Sequence, residues 1–172
     1  MNRFVVVLAL GLLAIFLESV LLWSAVPSYV SPHLLIILVA YLAFFEVGIA
    51  GSITAFSLGL LMDLSSAFLL GPWAGACVAV YGCLAVLSHR LFIESSLVAL
   101  VVGFAGSFGA DILYHVISYE FRPAGVHFLV EALPRAAITA VLAPLLFSLF
   151  RKVLFTKSQS SRRASPAVAR SA

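Results

Sequence analysis

Residues 32–63 read PHLLIILVAYLAFFEVGIAGSITAFSLGLLMD, and the reading of this stretch decides the fold. An apolar run from His33 to Phe45 is interrupted by Glu46-Val47-Gly48, and a second run from Ile49 to Met62 ends at Asp63. A hydrocarbon core about 30 Å thick needs ~20 apolar residues of helix. Both runs are short for full spans. They either tilt little or form a hairpin that borrows its flanking residues.

The rest of the chain agrees with a membrane setting. Of 172 residues, 63% are hydrophobic and 10% charged, with a mean hydropathy of +1.18. Soluble domains average roughly 45–50% apolar and about 25% charged, so an ordinary soluble domain is excluded. Cys77 and Cys83 are the only cysteines, and at a spacing of six they point to different faces of a helix. They form neither a redox pair nor a zinc framework.

Turn residues divide the chain into spans at about 4–26, 33–46, 49–63, 73–88, 96–118 and 128–150. The expected fold is an all-α membrane protein, one polytopic bundle of six transmembrane helices over 1–155, with five as the alternative. With six, both termini share a face. Arg3, Arg90, Arg151, Lys152, Lys157, Arg162, Arg163 and Arg170 then lie on one side, against Arg122 and Arg135 on the other. That asymmetry puts both ends in the cytoplasm. The first run continues past Glu18, too long for a signal core, and reads as an uncleaved helix. Residues 156–172 are polar and basic, and read as a disordered cytoplasmic tail contacting anionic lipid. No nucleic-acid motif is present.

Small residues recur at i, i+4, i+8: Gly51, Ala55 and Gly59 on the third helix, and Gly75, Ala79 and Cys83 on the fourth. Gly103, Gly106 and Gly109 add a third surface on the fifth helix. Such spacing lets backbones approach closely in lipid. Packing within the bundle and docking of a partner helix both fit it.

Ionisable groups in the membrane are costly and face the bundle interior or a cavity. Glu18 lies roughly 12 Å below the outer end of its helix, and Asp111 and Arg135 each about 10 Å below theirs. Two acids and a base at one depth predict a buried cluster. Asp111 also shares a face with His115, and Glu131 with Arg135, in the favourable acid-first order. Arg135 therefore either joins the cluster or pairs with Glu131 and snorkels outwards. Asp63, placed just before a turn, is expected to accept hydrogen bonds from nearby backbone N–H groups or to cap a short helix.

Catalysis is not expected. The chain has no HExxH, no GxSxG and no phosphate-binding loop. The four histidines are scattered, and no metal or cofactor site is read from them.

The segment from Ser31 to Arg90 carries a further pattern. Pro32 is followed by a Leu/Ile-rich run and Tyr41-Leu42-Ala43; Gly48 and Gly51 come next, then Gly59-Leu60-Leu61-Met62-Asp63-Leu64. This resembles the rod shape-determining protein MreD family. The family's Ser-Gly-x-Pro-Leu-Gly turn is represented by Ser65 to Gly71, which keeps the distance from Asp63 to Gly71 but lacks the inner Gly and Pro. The resemblance implies a non-enzymatic inner-membrane subunit of the bacterial elongation machinery. Its implied partners are MreC and, around it, the synthase RodA, its partner transpeptidase and the MreB filament. It also implies a fold similar to the S components of energy-coupling-factor vitamin transporters. A substrate-binding transport subunit is therefore the main rival; an intramembrane lipid-modifying enzyme is a third class. A transport subunit needs a polar outer pocket, for which Tyr29, His33, Tyr119, Glu120, Arg122 and His127 are the available side chains.

Overall fold

The computed structural model describes residues 3–23, 31–66, 70–88, 96–118 and 128–163. Among them the chain is all-helical, with six helices in order: α1 Arg3–Trp23, α2 Leu34–Phe45, α3 Ile49–Ser66, α4 Pro72–Ser88, α5 Ser96–Ile117 and α6 Phe128–Arg163. The boundaries follow the chain's punctuation. Pro72 opens α4, where a missing N–H leaves no intrahelical bond unmade. Gly71 before it has φ +120°, a conformation that excludes most side chains.

Among the described residues, three helices are long and apolar enough to cross a membrane: Ile49–Ser66, Leu97–Ile117 and Phe128–Lys152. The apolar segments Phe4–Val20, Leu34–Phe45 and Pro72–Ser88 are shorter. For α2 the cause is local, because Pro32 stands before it and Glu46-Val47-Gly48 ends it. Its length at 1.5 Å per residue is roughly 18 Å.

A helix that is apolar all round belongs in an interior. Leu35 through Ala43 are all buried, and α2 touches each of the other five helices. It is the core of the molecule. Around it, α3 packs closely on α4, and α5 on α6. At the C-terminal end of α2, Tyr41 stacks on Phe45 at 4.4 Å and meets Phe147 and Phe150 of α6 edge-on, each at 5.7 Å. The turn into α3 is tied by Tyr81 of α4. Its hydroxyl donates to the Glu46 carbonyl at 2.7 Å and accepts from the Gly48 N–H at 3.1 Å.

One boundary differs from expectation. The span expected to end at Phe150 continues through Arg163, into the segment read as a disordered tail. Neither glycine nor proline stands between Arg151 and Ser165 to stop it, and Lys, Arg and Gln sustain helix well. The rest of that tail, 164–172, lies outside the described residues.

Candidate functional site

Of the two acids expected beside the base, Asp111 meets Arg135 and His33 joins them, while Glu18 binds the first turn of α2. Asp111 on α5 is buried, and its Oδ1 lies 3.6 Å from Nη1 of Arg135 on α6. The same oxygen lies 3.0 Å from Nε2 of His33, the residue that opens α2. Arg135 Nη1 stands 3.4 Å from that ring nitrogen. Glu18 of α1 places Oε1 3.1 Å from the Leu35 N–H, which donates to it. A carboxylate from another helix thus caps the first turn of α2, satisfying one of its orphan donors. The His33 N–H donates to Thr139 Oγ1 of α6 at 3.0 Å, and that hydroxyl donates to the Arg135 carbonyl at 2.8 Å.

His33 is the hub of this arrangement, a role its isolated place in the sequence does not signal. Its ring also meets Trp73 of α4 edge-on at 5.4 Å, and Trp73 stacks on Tyr114 of α5 at 4.6 Å. The imidazole on Asp111 is therefore that of His33. His115, one turn from Asp111, packs its own ring on Phe128 at 4.3 Å. Of the two readings for Arg135, the inward one is observed: its side chain is 21% exposed and faces Asp111 and His33, whereas Glu131 is exposed.

Asp63 caps across a loop. Its Oδ2 accepts from the N–H groups of Gly71 at 2.9 Å and Ala74 at 3.0 Å, and its Oδ1 from Trp73 at 3.0 Å. The donors lie eight to eleven residues on, beyond the local turn expected for it. Asp63 is 2% exposed, and its charge offsets the positive end of the α4 dipole. Positive φ at Gly71 turns the chain so that its N–H joins this set.

The stripe of Gly51, Ala55 and Gly59 faces inward. A Cβ at Gly59 would stand 2.6 Å from Ala74 Cα and 2.7 Å from the Trp73 carbonyl oxygen. One at Gly51 would strike the Glu46 carbonyl and the Tyr81 hydroxyl, and Ala55 is wholly buried. On α5 only Gly103 is comparably tight, 2.5 Å from Ala143 Cβ, while Gly109 meets nothing within 4 Å. On α4, Gly75 and Cys83 are exposed.

Tyr29, Arg90, Tyr119, Glu120, Arg122 and His127 lie outside the described residues. Among the described residues, no three His, Cys, Asp or Glu side chains are grouped to hold a metal ion. The cluster's chemistry is that of interlocked hydrogen bonds, in which each charged group on one element is held by another. One acceptor remains: Asp111 Oδ2 is buried with no hydrogen-bond partner among the described residues. A buried oxygen of this kind suits a water or a further donor. Compared with known proteins, the chain matches no family model, no curated protein and no solved structure.

Proposed function

We propose that this chain is a six-span subunit of the bacterial cytoplasmic membrane, with both termini in the cytoplasm, that acts by assembly and not by catalysis. In this reading it belongs with the MreD family and binds MreC. Through MreC it joins RodA, its partner transpeptidase and MreB, supporting cell shape and lateral peptidoglycan synthesis. Its bundle is similar to the S components of energy-coupling-factor transporters.

The observation that supports this best is the use made of the motif residues between Ser31 and Arg90. Gly59, Asp63 and Gly71 all join α3 to α4, and the Leu/Ile run after Pro32 is the central helix. A motif made of joints suits a scaffold whose shape is its function. The basic residues near the helix ends support six spans by their distribution, eight to two.

Expression in a rod-shaped bacterium depleted of its own MreD tests the proposal. The expected result is recovery of rod shape and of the membrane level of MreC. Round cells despite normal accumulation of the chain contradict it. Uptake of a vitamin that depends on the chain would establish the transport reading instead.

A further inference from the structure

The outward faces of the helices differ in apolar height. On α3 the exposed apolar side chains are Ile49, Ile53, Phe56, Leu60 and Leu64, one stripe along the helix. Its ends lie fifteen residues apart, roughly 22 Å at 1.5 Å of rise per residue. On α5 the exposed apolar residues run from Leu97 to Ile117, and on α6 from Leu129 to Leu149. Each run covers twenty residues, roughly 30 Å by the same rise, which is the thickness of a hydrocarbon core. Because α3 packs on α1, α2 and α4, and α5 on α2, α4 and α6, the low face and the high face look out on different sides of the bundle.

The low face cannot stretch. Lipid-exposed turns stay out of hydrocarbon, where their backbone polar groups have no partners. Asp63 holds the N–H groups of Gly71, Trp73 and Ala74 at one end of the α3–α4 hairpin, and the Tyr81 hydroxyl holds the Gly48 N–H at the other. Helix α3 has 18 residues and α4 has 17, against 22 in α5. Any tilt lowers the height that α3 spans. Basic side chains do not make up the difference either, because the chain has no Lys or Arg between Arg3 and Arg90.

We infer that the outer face of α3 is covered by lipid, and that the bilayer thins beside it by roughly 8 Å relative to the α5–α6 side. A segment shorter than the bilayer is met by thinning, by snorkelling of its flanks or by association with another chain. Snorkelling lacks its residues. Helix association in lipid uses small residues at the contact, and on α3 these, Gly51, Ala55 and Gly59, face the inside of the bundle. Outward α3 shows Ile, Phe and Leu, a surface suited to acyl chains. The inference rests on α3 and α4 crossing as a hairpin, as in the six-span reading, and holds whichever complex the chain joins.

The test places one spin label at a time on the full chain in dioleoyl phosphatidylcholine vesicles, through Ile49→Cys, Leu64→Cys, Leu97→Cys or Ile117→Cys. Cys83→Ala removes the exposed native thiol. Collision rates with oxygen and with a water-soluble nickel chelate give the depth of each label. All four should read at the hydrocarbon boundary, with about 22 Å of hydrocarbon between the α3 pair and about 30 Å between the α5 pair. A label at Ile49 or Leu64 deep in hydrocarbon means a flat bilayer and overturns the inference. Labels there that meet neither oxygen nor chelate mean that a second copy covers α3, and overturn it equally. In right-side-out and inverted membrane vesicles, an impermeant thiol reagent should reach Ile49→Cys and Leu64→Cys from opposite faces. Reaction of both from one face would show that α3 does not cross, and the six-span reading would fail with the inference.

Discussion

Asp63 shows what a single side chain does in this molecule. Both carboxylate oxygens accept backbone N–H groups of the next helix, so an amide is a poor substitute. In Asp63→Asn the NH₂ group must face a backbone donor, and one N–H is left unmatched. Buried unsatisfied groups cost about 1–3 kcal/mol. Thermal unfolding in detergent should therefore place Asp63→Asn below the wild type, and Asp63→Ala lower still. An Asn variant as stable as the wild type would mean that the acceptor geometry does not matter. An acceptor beside a turn was legible at Asp63, but its donors lie across a loop. His33 and Asp111 are 78 positions apart, and only the fold brings them together.

At Arg135 the same logic gives a second prediction. Removing one partner of a buried pair typically costs ~3–5 kcal/mol, because the other charge is stranded. Arg135→Ala should thus reduce accumulation in membranes more than Asp111→Asn or Glu18→Gln alone. Since Arg135 meets Asp111, adding Asp111→Asn to Arg135→Ala should recover part of the loss. Strictly additive losses would remove the case for the pair. That Asp111 and Arg135 stand within reach of each other was readable from 1.5 Å of rise per residue. The choice between Glu131 and Asp111 as the partner of Arg135 was not, because both lie within its reach in sequence terms.

Among elements, the pairing of α3 with α4 depends on small residues at close contact. Gly59→Ala puts a Cβ 2.6 Å from the Ala74 backbone, so the helices must part. Overpacking of this kind costs about 1–3 kcal/mol. Gly82 on α4 meets nothing within 4 Å; Gly82→Ala should be neutral or stabilising by up to ~1 kcal/mol through helix propensity. Melting temperatures of the two alanine variants should move in opposite directions or separate clearly. Equal shifts would show that contact at Gly59 is not the controlling term. Helix existence was legible because turn residues stand between apolar runs: Pro32, Glu46-Val47-Gly48 and Gly71-Pro72 each mark an observed boundary. The far end of α6 was not legible, because Arg151 and Lys152 carry charge and still sustain the helix. Charged residues end a membrane span without ending a helix.

Over the whole molecule, a short apolar helix lies at the centre and longer helices carry the membrane-crossing lengths. Six spans and cytoplasmic termini require reporter fusions at Lys157 to read cytoplasmic, and fusions between Glu120 and Gly125 to read external. The reverse pattern contradicts the proposed topology.

We propose that this bundle is an assembly subunit that holds MreC. Affinity purification of the full chain from membranes of cells that co-express MreC tests it most directly, with abundance-matched Gly59→Leu as the comparison. MreC is expected in near-constant ratio with the wild-type chain, and in reduced ratio with Gly59→Leu. Absence of MreC from the purified wild-type chain, with both proteins abundant in the same membrane, would contradict it.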